Sequence, residues 1–468
     1  MKKFLKVLSF ILAVIVIITG IYFGNQALHI ANIGAGYKAK ILCSSVFISN
    51  RNPADVLNED LSESRLSLIN QKIDYERKQV TATALLGIVK RVATFRQGLG
   101  ATLDLKPEEQ KIFIESPKPP ESYSSNPWPN GNRVDFNNFP AEIDRDNLTA
   151  AIDYAFAEPD SESLRRTRAV VVVHKGKIIA ERYADGFTEN TPLLGWSMTK
   201  SVINALTGIL IGQGRLSLDD SAFFAEWQRP DDPRRTITLD NLLRMSSGLE
   251  FGERYSDLFS DVFVMLYRKK DAASFAISKP LIAEPGKKWA YSSGTTNIIS
   301  KIIRQAFAGD EKQHLEFPQH ALFHRIGMYS AVLEPDAAGT FVGSSYLYAT
   351  ARDWARFGLL YLQDGIWQGE RIFPKGWVQY TVTPAEHAPH GKYGAHWWLN
   401  PRGIPIYNET LGVSLPSELY SARGHHDQFV TVIPSKNLVV VRLGLTLTNN
   451  TWNHAEFLTK VLAAIHGK

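Results

Sequence analysis

The chain has 468 residues, a net charge of +5, 44% hydrophobic residues and 21% charged residues. That balance belongs to an ordinary globular protein long enough for a large core, and it excludes a fibrous or disordered chain. The positive charge is spread too thinly, with no basic block longer than a few residues, to indicate a nucleic-acid partner.

Lys2, Lys3 and Lys6 precede an uncharged run from Val7 to Phe23, and no formal charge returns until Lys38. The run is long enough to span a bilayer. Basic residues before it place the N-terminus inside and the remainder outside. A cleaved signal peptide is the competing reading, but its apolar core is usually shorter and ends at a small-x-small site, and Ala27 and Ala31 flank no clear one. Residues 1–24 are therefore read as a retained single-pass anchor in the inner membrane, with a periplasmic remainder. The single cysteine, Cys43, rules out an internal disulfide and a Cys/His metal cluster, and reads as a small buried residue.

Residues 24–50 are apolar and Gly/Ala-bearing, a pattern that can continue the anchor as a helix. Two strand-like stretches follow, 72–85 and 87–103, rich in β-branched and aromatic residues such as Ile73, Tyr75, Val80, Val89, Val92 and Phe95. Residues 25–115 form a small β-containing module in this reading, outside the cytoplasm and without a catalytic pattern. Pro117, Pro119, Pro120, Pro127, Pro129 and Pro140 make residues 116–145 a linker or an extended wrap.

Residues 146–468 form the main domain. The stretch 148–157 reads as a helix. The stretches 169–173 and 178–183 read as strands joined by a hairpin signal at Lys175-Gly176-Lys177. Residues 216–415 are mostly helical and loop-like. A second hairpin, 428–433 with 438–445, and a last amphipathic helix over 452–465 close the chain. The economical architecture is α+β: one antiparallel β-sheet built from both ends of this region, flanked by helices, with a helical insertion between.

Ser197-Met198-Thr199-Lys200 opens the apolar run 202–211. Residues three apart on a helix share a face, so the Lys200 amine can lie beside the Ser197 hydroxyl, at a helix N-terminus that favours negative charge. No other serine in the chain has a lysine at that spacing. The competing reading is a plain helix start. A Pro285-Gly286 turn delivers Tyr291-Ser292-Ser293 to a loop. A tyrosine beside a lysine amine can act as a general base, since the cation favours its charged form; an aromatic core residue with a serine cap is the alternative. Gly424-His425-His426-Asp427-Gln428 leads into the last hairpin. Neighbours on a strand face opposite ways and no third histidine stands at ligand spacing, so metal is disfavoured, and a strand edge offering backbone N–H groups to an oxyanion fits better. The segment 237–249 reads as a structural capped helix ending in a Ser-Gly turn. No Gly-x-Ser-x-Gly is present, which argues against an α/β-hydrolase.

Together these pieces resemble the serine β-lactamase and penicillin-binding-protein superfamily, and more narrowly its 6-aminohexanoate-dimer hydrolase and class C-type esterase branch. The resemblance covers about residues 146–466. It rests on Ser197 through Lys200, Leu216 through Asp220, Thr238 through Leu249, Glu284 through Ser293, Ile326-Gly327-Met328, Asp353 through Gly358, and Gly424 through Gln428. It implies the β-lactamase/transpeptidase-like fold and an acyl-enzyme on Ser197, with Lys200 and Tyr291 managing protons. The backbone N–H groups of Ser197 and Gln428 would form the oxyanion hole, His425 and Ser293 would flank the substrate, and no metal or cofactor is required. Two departures from the family pattern stand out. Ser293 replaces the asparagine of Tyr-x-Asn, and Asp427 replaces the glycine of Lys-Thr-Gly or His-x-Gly. Both argue against efficient penicillin turnover and favour a small-molecule ester or linear amide. A β-lactamase or D-alanyl-D-alanine carboxypeptidase is the second reading, and a non-catalytic binding or sensor domain the third.

Overall fold

The computed structural model describes residues 2–115, 118–137, 139–401, 415–448 and 450–465; Pro117 of the Pro-rich stretch, part of the 216–415 region and His466 lie outside them. The first element is a single helix, α1 (Lys2–Phe47), so the boundary placed at residue 24 falls inside it. Large apolar side chains of α1 are exposed from Phe4 to Ile30, and the helix is buried in the protein from Ala31 onward.

The buried half of α1 packs on a four-stranded antiparallel sheet of β1 (Asn70–Asp74), β2 (Gln79–Ala84), β3 (Val89–Arg96) and β4 (Gly100–Leu103). The two strand-like stretches of the sequence thus each divide into two strands. Val80, Ala82 and Ala84 alternate inward along β2, the period-2 pattern of a half-buried strand.

The main sheet has six antiparallel strands. Its first two are β5 (Thr167–His174) and β6 (Lys177–Tyr183), and the C-terminal four are β7 (Trp398–Leu399), β8 (Tyr420–Gly424), β9 (Gln428–Ile433) and β10 (Leu438–Gly444). Their order is β7-β8-β9-β10-β5-β6, so strands from both ends of the domain meet at β10 and β5, in the register Val440 opposite Val172. Both faces are covered, which is why the strands read as nearly unbroken valine runs. Val171, Val173, Val439 and Val441 face the larger core. Val170, Val172 and Val440 face α2 (Arg145–Phe156) and α7 (His454–Ala463). The helices of the insertion that matter below are α3 (Thr199–Gly212), α4 (Asp261–Arg268), α5 (Ser293–Gln305) and α6 (Ala351–Leu362).

The Pro-rich stretch lies along the main domain. The guanidinium of Arg356, in α6, donates to the carbonyls of Pro129 and Gly131, and Tyr123 donates to the Gly327 carbonyl at 3.1 Å.

The N-terminal module is fastened to the main domain by buried polar groups. Lys40 of α1 donates to Glu334, which also accepts from Ser44 Oγ at 2.8 Å and from the Ala101 N–H at 2.6 Å. Both charged side chains are almost wholly enclosed. Burial drives each toward its neutral form and their attraction opposes it. Arg91 of β3 donates to the Tyr267 carbonyl of α4, and Arg168 of β5 pairs with Glu59 and Asp60. Glu334→Ala strands the Lys40 amine without its partner, so the unfolding free energy should drop by about 3–5 kcal/mol. Urea denaturation of the full chain in detergent measures it, and a loss below about 1 kcal/mol would show that the pair does not tie the two parts together.

Candidate active site

Ser197 lies in a short 3₁₀ turn, Trp196–Met198, that runs directly into α3. The turn is pinned from behind. Leu193–Leu194 pairs with Leu347–Ala349, and the Gly195 N–H donates to the Leu347 carbonyl at 2.8 Å. Gly424 at the end of β8 comes so close that a Cβ there would lie 2.1 Å from the Gly195 carbonyl oxygen. Only glycine permits that approach of strand to turn. Among the described residues, nothing accepts the Ser197 N–H.

One turn along α3, the Lys200 amine donates to Ser197 Oγ at 2.9 Å, to Ser293 Oγ at 3.1 Å and to the Ser344 carbonyl at 2.9 Å. Lys200 is buried, and burial lowers its amine from an ordinary 10.5 to about 8, against the opposing pull of Glu253. The Tyr291 ring centroid is 4.9 Å from Lys200 Nζ. Tyr291 also packs on Trp398 and Tyr393, at 5.5 and 5.9 Å between centroids. Tyr291 thus stands beside the amine and belongs to an aromatic wall.

Ser293 heads α5 and takes part in a carboxylate network. Its N–H and Oγ donate to Glu253 at 2.8 and 2.6 Å, and the Tyr255 hydroxyl donates to the same carboxylate at 2.8 Å. Its hydroxyl is therefore spoken for by Lys200 and Glu253. The Ser344 carbonyl is held by Asn297 of α5, whose side chain bonds both the Ser344 N–H and hydroxyl. His396 lies behind Lys200, with Nδ1 3.0 Å from the Lys200 carbonyl, and burial lowers it to about 3, so it is neutral.

One expectation needs correction. His425 and His426 are not strand neighbours facing opposite ways. They occupy the turn between β8 and β9, with ring centroids 3.9 Å apart. His425 stacks on Tyr255 at 5.0 Å and meets Trp196 edge-on at 5.6 Å. It lines a cavity that also includes Ser197, yet it is ringed by protein, which lowers its imidazole to about 4. The oxyanion role expected of Gln428 concerns its backbone N–H; its side chain serves the turn. Its amide donates to the carbonyls of His425, His426 and Gly444 and accepts from the Gly444 N–H, so it locks the turn onto β10.

Glu253, Tyr255, Ser344, Asn297 and His396 were not marked by the sequence reading. Glu253 and Tyr255 sit in an irregular loop just past the Ser246-Ser247-Gly248 turn, and Ser344 contributes a backbone atom that any residue could supply. A carboxylate in a Gly-Glu-x-Tyr stretch four residues beyond that turn was the one available signal.

Comparison with known proteins bears on this geometry. The Beta-lactamase family model matches residues 155–456. This chain belongs to the β-lactamase family. The 6-aminohexanoate-dimer hydrolase of Paenarthrobacter ureafaciens is 24% identical over 278 residues, covering 52% of this chain and 69% of that protein. In fold, the chain is similar to the octameric penicillin-binding protein homologue from Pyrococcus abyssi, with TM-score 0.53, 19% identity and coverage of 70% of this chain and 78% of that one. It is also similar to a class C β-lactamase, with TM-score 0.52, 16% identity and coverage of 70% and 99%. The protein is thus a member of a β-lactamase-fold serine hydrolase family, and α1, the small module and the Pro-rich wrap all lie before the matched region.

The lowered Lys200 amine has a consequence for stability. Below about pH 8 the folded state carries the full cost of a buried ammonium, and this cost fades as pH rises from 8 toward 10.5. Lys200→Met removes the titration. Between about pH 7 and 10.5 the difference in unfolding free energy should therefore move in favour of the wild type by on the order of 3 kcal/mol. Urea unfolding of both proteins across that range measures it, and a pH-independent difference would mean the amine titrates normally.

Proposed function

We propose that this protein is a membrane-anchored serine hydrolase that cleaves an amide or ester bond outside the cytoplasm through an acyl-enzyme on Ser197. The observation that carries the reading is the 2.9 Å contact between Ser197 Oγ and a buried lysine amine lowered to about 8. An amine with that pKa is partly neutral near physiological pH and can accept the serine proton. Ser197 Oγ attacks the carbonyl carbon while its proton moves to Lys200. Tyr291 stands beside that amine and passes the proton to the leaving alcohol or amine. Water, activated by the same pair, then releases the acyl group. The Ser197 N–H, which has no acceptor among the described residues, supplies one oxyanion donor, and the backbone at the β8–β9 turn is the second candidate. The exposed apolar half of α1 supports the anchor, and the lysines before it support the outward orientation of the domain.

The substrate is better read as an ester or linear amide than as a β-lactam. Asp427 sits at φ 61° where the family pattern has glycine, and the Ser293 hydroxyl is held between Lys200 and Glu253. Neither residue can supply what a bicyclic amide and its side chain require in the Lys-Thr-Gly and Tyr-x-Asn arrangement. The relative named 6-aminohexanoate-dimer hydrolase supports the same direction.

A fluorophosphonate probe should label the wild type covalently and leave Ser197→Ala unlabelled; equal labelling of the two would overturn the acyl-enzyme. The Lys200 role has its own test. The acid limb of kcat/KM should fall near pH 8 and move to lower pH in Glu253→Gln, because the Glu253 charge holds the amine up. An unmoved or rising limb would remove Lys200 as the base.

A further inference from the structure

Ser197 lines a cavity of about 830 Å³ whose opposite wall is made by α1 itself, over Ala27, Ile30, Ala31, Ile33, Gly34 and Tyr37. Leu66 and Ile69, before β1, and Val262, Phe263 and Leu266 of α4 complete an apolar lining. Polar groups enter at Glu63, Ser64 and Arg65 and around the serine, at Ser345, His425 and His426. A volume of this size is that of a pocket for a whole ligand rather than for a few waters.

Its position along α1 matters. The apolar side chains of α1 are exposed up to Ile30, and the helix becomes buried at Ala31. The cavity wall, from Ala27 to Tyr37, spans that transition and covers about 15 Å of the helix. A bilayer around the exposed half therefore ends where the cavity begins. An apolar collar surrounds the same level. Leu68 and Leu85 line the cavity, Leu86 and Ile88 follow in the β2–β3 connection, and Leu86 is fully exposed. Leu85 and Leu86 both adopt positive φ, 49° and 55°, a conformation that costs non-glycine residues energy. Two strained leucines held outward make sense at an apolar phase and none in water. On the other side, His29 of α1 stacks on Phe259 at 4.3 Å, and its ring nitrogen meets the Leu258 carbonyl at 3.2 Å. That loop also carries Tyr255, which contacts both Glu253 and His425. The membrane-facing helix and the Ser197 network thus share one continuous wall.

We infer that the substrate is a long-chain acyl lipid, ester or N-acyl amide, taken from the bilayer, with its acyl chain in the cavity against α1 and its carbonyl at Ser197. This rests on the acyl-enzyme reading above. In the step it implies, a bond forms between Ser197 Oγ and the acyl carbon, and the acyl C–O or C–N bond breaks. The serine proton leaves with the released alcohol or amine, and water then frees the fatty acid and restores the hydroxyl.

The test uses the full chain reconstituted in dioleoyl phosphatidylcholine vesicles and p-nitrophenyl esters of four to sixteen carbons. The wild type should favour the twelve- to sixteen-carbon esters over the four-carbon ester by at least about tenfold in kcat/KM, since each buried methylene adds to binding. Ala27→Trp with Ile30→Trp fills the outer cavity at exposed positions of α1. It should abolish that preference, with fluorophosphonate labelling of Ser197 in the variant showing that the site is still assembled. A wild type that prefers the four-carbon ester, or a preference unchanged in the double variant, would overturn the lipid assignment. Fluorophosphonate labelling in the same vesicles separates the two readings. Labelling of Ser197 with no chain-length preference sinks only the lipid assignment, and absence of labelling sinks the acyl-enzyme on which it depends.

Discussion

The enclosed Lys200 amine is the constraint on which the rest of the site depends. A cation without water must find acceptors, and this one finds three, drawn from three separate parts of the chain: the α3 turn, the head of α5 and the segment before Leu347. Each acceptor is itself held. The Ser197 turn is pinned by the Leu347 carbonyl and by Gly424, Ser293 is tied to Glu253, and Ser344 is clasped by Asn297. The nearest counter-charge in this network, Glu253, reaches the amine through Ser293 and only partly offsets its burial. The arrangement keeps the amine's pKa within reach of neutrality, at the expense of native-state stability. A direct ion pair would hold the proton more firmly and leave less neutral amine to accept the serine proton.

The second buried amine follows the opposite rule. Lys40 meets Glu334 directly, and three further donors of the fold converge on the same carboxylate or its neighbourhood. There the pair serves position, fixing α1 against β4 and the segment 334–335. Because α1 is fixed, its Ala27–Tyr37 stretch is a wall of the cavity beside Ser197 and not a tether at a distance from it. The segment that lies outside the family match thus completes the pocket that the matched domain begins.

Much of this frame was legible in the sequence because it depends on local chemistry. The valine runs with a Lys-Gly-Lys turn between them read as β5 and β6, and the serine-to-lysine spacing alone put two side chains on one face of α3. What was not legible depends on distance along the chain. Glu253 approaches Ser293 across 40 residues, and Lys40 reaches Glu334 across 294. Neither carries a local pattern. The apolar stretch after residue 24 has the composition of an anchor, yet Lys38 and Lys40 within it are satisfied by buried acceptors that only the fold brings near. His425 and His426 were misplaced for a smaller reason. β8 stops at Gly424, so alternation does not apply to the two residues after it.

That turn also bears on the substrate proposed for the site. His426 and Asp427 both have φ of 61°, where glycine would rest without strain. The carbonyls of both residues accept from Arg442, and the Gln428 amide closes the loop from the other side. A strained turn fastened by two buried polar side chains is expensive to keep, and a glycine would relieve it. What the strain preserves is the placement of His425 against Tyr255 and Trp196, on the cavity wall beside Ser197. A glycine at 427 would open the strand edge to a bulky bicyclic ring. The side chains present instead build an aromatic and imidazole wall facing an apolar cavity, a surface suited to a flat carbonyl group at the head of a narrow chain.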